Sequence, residues 1–251
     1  MKRAIPAVFF MILVLIVWQV AVSVFDVPSY LLPKPSQILE RLITSLPVLS
    51  RHFLITVVES LLGFVLGAFL GVFLAVLFVH SKTLELSLYP YAIALKTVPI
   101  IAIAPLLIVW FGNGILPKIM VAAIISFFPI VVNAVRGLKS IDDEAFDLFD
   151  SLSASSWQVF IKLRVPTSLP YLFSALKISS TLAVIGAIVG EFAGSDRGLG
   201  FFIMISSYRV DTIGMFVGIL VSSVLGIIFF YLIALCEYLF IPWAQAKDMA
   251  I

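Results

Sequence analysis

Six long runs of apolar residues, at roughly 4–25, 54–79, 88–111, 118–136, 167–190 and 213–241, dictate most of what this chain can become. Each is about the ~20 residues that a helix needs to cross a bilayer. Hydrocarbon offers a backbone no partners, so each segment must satisfy its own hydrogen bonds. Continuous rather than alternating apolar runs then mean helices, not a barrel. The expected fold class is all-α: a polytopic membrane protein with about six transmembrane helices, surrounded by the lipid bilayer. Composition agrees, since only 12% of the 251 residues are charged and 62% are hydrophobic, about half the charge of a soluble domain. A net charge of +2 is too small to suggest a nucleic-acid partner. The single Cys236 excludes an internal disulfide framework. No Cys/His cluster has metal spacing and no catalytic constellation appears, so neither metal nor cofactor is expected in this chain. The run after Met1-Lys2-Arg3 is longer than a signal-peptide core and has no small-x-small cleavage site, which predicts a retained first span.

Prolines and glycines add detail. Pro28, Pro33 and Pro35 predict an extended turn after the first span, followed by a short amphipathic surface helix around Ile38–Leu46. The expected division is residues 1–53, the first span and an outer connecting segment, and residues 54–251, the core domain. Pro90, Pro99 and Pro105 predict a bent or broken third span, because proline removes a helical donor. Irregular backbone at membrane depth tends to line a cavity or lie buried in protein. Pro99 and Pro105 are therefore candidates for a translocation pathway, as are Lys96 and Lys177, ionisable groups within spans. Lys96 could meet an anionic solute, pair with Glu59, or snorkel; Lys177 would face an inner aqueous cavity or a dimer seam. Gly63, Gly67 and Gly71, four residues apart, predict close helix packing, within the subunit or across a dimer. Glu191 could cap the loop at Gly198. Eight basic residues against six favour an amino terminus inside the cell.

The loop 137–166 carries the functional argument. Ser140-Ile141-Asp142-Asp143 reads as a helix start with acids in its first turn. Ala145, Leu148, Phe149 and Leu152 follow at helical spacing, with Asp143, Asp147 and Asp150 on another face. Ser153–Ser156 interrupts, and Trp157–Leu163 can form a second short helix ending before Pro166. Such a knob suits a groove in another protein; an interfacial helix on lipid is the alternative, against which the acidic face argues.

This loop resembles the "EAA" loop of binding-protein-dependent ABC importer permeases. Asp147, Leu148 and Phe149 stand at the Glu-Ala-Ala positions, Ser153 at the glycine, Leu163 at the isoleucine and Val165-Pro166 at Leu-Pro. Leu32-Pro33-Lys34-Pro35-Ser36, Pro99–Gly112, Phe127–Asn133 and Glu191 with Gly198-Leu199-Gly200 are similar to further patterns of the sulfonate, nitrate, taurine and thiamine-precursor branch. The resemblance implies a MetI-like, type I importer permease fold in the inner membrane, working as a homodimer. It implies two separate ATPase subunits that hold ATP and magnesium, and an extracytoplasmic solute-binding protein. It assigns ATPase coupling to Asp147, Leu148, Phe149, Leu152, Ser153, Leu163 and Pro166. The chain has no G-x-x-x-x-G-K-[ST] phosphate loop, so it is not expected to be an enzyme itself.

Overall fold

A computed structural model describes residues 4–95 and 97–243. All regular structure among the described residues is helical. Five helical stretches are long and apolar enough to cross a membrane: Ile5–Val24, Pro35–His80, Leu116–Lys139, Ser156–Gly194 and Thr212–Phe240. They contain α1 (Ala4–Val24), α2 (Pro35–His80), α5 (Leu116–Lys139), α8 (Val165–Gly194) and α10 (Thr212–Phe240). The expected third span is two shorter helices, α3 (Lys82–Leu95) and α4 (Ile100–Phe111), with Pro99 at the N-cap of α4. Proline disfavours helical backbone in the residue before it, which starts a new helix here.

Three features differ from the sequence expectation. The surface helix around Ile38–Leu46 and the second span are one 46-residue helix that passes straight through Pro47. Its first part is held by packing: Ile38, Leu42, Leu49, Phe53 and Val57 share one core with Val184, Leu199 and Val217. At 1.5 Å per residue α2 is about 69 Å long, over twice a hydrocarbon core of about 30 Å, and it crosses the expected 53/54 division unbroken. Second, the short helix expected to end before Pro166 runs on into the fifth span. Here α7 (Ser156–Val159) passes through a π turn at Phe160–Arg164 into α8. Proline at 166 has no N–H for the carbonyl four residues back and crowds it. The wider turn, in which Val165 N–H donates to Phe160 O, accommodates that within a continuous helix. Third, a further helix, α9 (Leu199–Tyr208), lies between the expected fifth and sixth spans.

Helix α5 lies at the centre, between glycine faces of α2 and α8. A Cβ on Gly63 would sit 2.4 Å from Ala122 Cβ, and one on Gly67 2.4 Å from Ser126 Oγ. At Gly71 the nearest atom would be Ile130 Cγ2, at 2.9 Å. The ladder is thus a contact within the subunit. From the other side Gly186 rests on Ala122, where a Cβ would lie 2.6 Å from its Cα.

Candidate functional site

The knob begins with α6 (Asp143–Ser151), whose N-cap Asp142 accepts from the N–H of Glu144 at 3.3 Å. It ends at Ser153, which has a φ of +53°. The N–H of Ala154 donates to Phe149 O at 3.0 Å and that of Ser153 to Asp150 O at 2.8 Å. This closes the helix with a left-handed residue where glycine is usual. Ser155 then starts α7 with a reciprocal cap, its Oγ accepting from Gln158 N–H while Gln158 Oε1 accepts from Ser155 N–H.

The base is anchored. Phe160 is buried in a core with Ala75, Phe78, Val131, Val135 and Leu138, and His80 packs edge-on against its ring at 4.8 Å. Arg164 Nη1 donates to Leu138 O near the end of α5 at 3.2 Å. The apolar stripe of α6 splits in two. Ala145 and Phe149 are half-buried, turned toward the protein. Leu148 and Leu152 are 57% and 70% exposed, and Asp147 and Ser153 are exposed beside them. Leu163 and Pro166 are half-buried in the stem. Two more exposed aromatics lie outside the expected docking set: Trp157, 68% exposed and stacked on Phe160, and Phe146, on the side of α6 that faces His80 and Arg164.

Of the pathway candidates, Lys96 lies outside the described residues. Pro99 and Pro105 are exposed on α4. Lys177 is partly buried, and its Nζ pairs with Glu237 Oε2 of α10 at 2.6 Å.

At the opposite end of the molecule a buried polar group organises the start of α9. Gly198 N–H donates to His52 Nδ1 at 3.0 Å and Leu199 N–H to Thr56 Oγ1 at 2.8 Å. Gly200 N–H donates to Glu191 Oε2, and Thr56 Oγ1 donates to Glu191 Oε1 at 2.6 Å. Three N–H groups that a helix start leaves free are therefore taken by side chains of α2 and α8. The carboxylate also meets the positive end of the α9 dipole. Gly198, at a φ of +106°, has no room for a side chain: its Cβ would lie 2.2 Å from Glu191. Glu59 and Lys118 are buried in the same region, Lys118 Nζ donating to Gly114 O at 2.7 Å.

The knob is thus exposed at its tip and anchored at its root to the helix bundle. Comparison with known proteins decides the family. Residues 67–238 match the family described as "Binding-protein-dependent transport system inner membrane component". The chain belongs to the ABC importer permeases, in the sulfonate, nitrate and taurine branch. This permease is 37% identical to the formylaminopyrimidine transport permease protein of Halalkalibacterium halodurans, over 96% of each chain. It is 34% identical to the riboflavin transport system permease protein of Chloroflexus aurantiacus, over 93% of this chain and 88% of that one. It is 26% identical to the taurine transport system permease protein of Escherichia coli, over 84% and 80% respectively. In the permease, the pattern of Glu191 with Gly198-Leu199-Gly200 has a plain physical basis: a buried carboxylate and the glycines that let a helix start close against it.

Proposed function

We propose that this permease is the membrane subunit of an ATP-driven importer. In this reading it moves a small polar or anionic solute of sulfonate, nitrate or pyrimidine type across the inner membrane. Two copies would form the pore, with the amino termini in the cytoplasm and residues 26–51 on the outer side, where a soluble binding protein delivers solute. A separate pair of ATPases would bind ATP and magnesium and seat the knob. Closure of that pair would bias the helices between inward- and outward-facing states. The observation that carries the reading is the exposure of Leu148, Leu152 and Trp157 on a knob whose root is fixed by Phe160 and Arg164.

The test is Leu148→Asp. Leu148 is exposed, so the variant should insert and unfold like the wild type. A centrally placed apolar anchor is worth at least about 2 kcal/mol at an interface, some 30-fold in affinity. Co-purification with the cognate ATPase should therefore be lost. If the ATPase stays bound at wild-type affinity, the knob is not the docking element.

A further inference from the structure

Three ionisable side chains are buried where α2, α5 and α8 meet beside the start of α9: Glu59 at 2% exposure, Glu191 at 0% and Lys118 at 3%. Two carboxyls against one ammonium leave one negative charge unbalanced if all three ionise. An uncompensated buried charge is strongly destabilising, and no other charged group is placed to take it. On α2 the next ionisable residues are His52, whose Nδ1 already accepts from Gly198 N–H, and the exposed Arg51. Arg136 and Lys139 lie at the far end of α5. The loop before α9 offers Asp196 and Arg197, which pair with each other at 2.8 Å on the surface. Helices α1, α4 and α9 carry no charged residue, and the single one on α10, Glu237, is held by Lys177 of α8.

Hydrogen bonding narrows the choice. Glu191 takes the Thr56 hydroxyl on one oxygen and Gly200 N–H on the other. The carboxyl of Glu59 lies against it within hydrogen-bonding reach. Yet Glu59 Oε2 is buried with no donor among the described residues. The neighbouring hydroxyls are committed elsewhere, Thr56 to Glu191 and Ser60 to Thr56 O at 2.6 Å. Lys118 directs its ammonium at Gly114 O at 2.7 Å, so it supplies charge to the cluster but no hydrogen bond to Glu59. Two ionised carboxylates are acceptors only, and facing each other they repel. One hydrogen between them supplies the missing donor and removes the excess charge together.

We propose that Glu59 and Glu191 form a proton-binding site that holds one shared proton, the pair carrying a single negative charge opposite Lys118. The site stands directly behind the first turn of α9, whose Gly200 N–H rests on Glu191. Release of the proton sets two like charges side by side there and weakens the hold on Gly198-Leu199-Gly200. The pair is therefore a pH-sensitive latch for α9, and it does not depend on whether the knob binds an ATPase.

The experiment uses full-length permease in lipid nanodiscs and infrared spectroscopy, which reads the C=O stretch that only a protonated carboxyl gives. At pH 8, about four units above their ordinary values, surface carboxyls are ionised and silent. The wild type should show a carboxyl band there that shifts in D2O. The band should vanish in Glu59→Gln and in Glu191→Gln, because either change leaves one carboxylate balanced by Lys118. A second readout is thermal unfolding from about pH 7 to pH 10. The folded pair keeps a proton that the unfolded chain releases, so wild-type stability falls as pH rises. Glu59→Gln, whose amide N–H does not titrate, should escape that part of the fall, and the gap in melting temperature should widen with pH. Absence of the band from the wild type overturns the proposal without any variant; melting that then depends on sodium or potassium would give the space to a cation. A band that survives either substitution, or a gap that stays constant with pH, overturns it equally.

Discussion

Two glycines of this permease make a matched pair for one substitution. Gly67 and Gly226 both lie in long membrane helices, so alanine brings each the same intrinsic helical gain, about 0.5–1 kcal/mol. Their surroundings differ. A Cβ at Gly67 would stand 2.4 Å from Ser126 Oγ and 2.7 Å from Ala123 O, whereas at Gly226 nothing lies within 4 Å. Ordinary carbon contacts need about 3.5–4.0 Å, so Gly67→Ala must part α2 from α5 by about 1 Å. Ala123 O is backbone and has no rotamer to escape into. Such overpacking costs about 1–3 kcal/mol. Net of the helical gain, Gly67→Ala should destabilise by up to about 2 kcal/mol, while Gly226→Ala should be neutral or stabilise. At about 2–4 °C per kcal/mol for a chain of this size, the apparent melting temperatures of the two variants should differ by several degrees. The assay is thermal unfolding of purified protein in one detergent, followed by size-exclusion fluorescence. Equal melting temperatures would refute the argument, because the α2–α5 contact would not be the close one described.

Ser153→Gly should raise the stability of the knob by about 0.5–1 kcal/mol, since a left-handed serine costs about 1–2 kcal/mol and glycine is free of that strain. Hydrogen exchange of α6 amides would show slower opening, and unchanged exchange would count against the strain. The Lys139 ammonium, hydrogen-bonded to Glu85, holds that half-buried carboxyl below its usual range against a smaller opposing effect of desolvation, with Lys82 adding to the lowering. Because the folded-state value is depressed, the tie between α3 and the end of α5 is present above the unfolded value and is lost as pH falls through the folded one. Lys139→Met should return the NMR titration midpoint of Glu85 toward that of an ordinary carboxylate; an unmoved midpoint would exclude Lys139 as the cause.

The membrane spans were legible because apolar length is a local property that lipid enforces. The break at Pro99 was legible for the same reason, proline chemistry being local. The continuity of α2 was not, because Pro47 argues for separate pieces while the force joining them is packing of Ile38 and Leu49 against residues such as Val184 and Val217, far along the chain. Helix α9 escaped because its ten residues are too few for a span and its first-turn partners come from His52, Thr56 and Glu191. Glu191 was nevertheless readable as a cap for the Gly198 loop. At the knob, periodicity marked the apolar stripe of α6 but could not say which edge faces the protein. Trp157, beyond the turn, carried a signal in its own right: a large aromatic two residues after the Ser155 cap.

The unbroken run from Ser156 to Gly194 has a mechanical consequence. Its 39 residues form a strut about 58 Å long at 1.5 Å per residue. One end carries Trp157 on the surface of the knob, and the other carries Glu191 against α9. A tilt of about 5° at the first end sweeps the second through roughly 5 Å, near the pitch of one helical turn. The π turn at Phe160–Arg164 lies near the first end of that strut, so any bend there would subtract from the sweep at the far side.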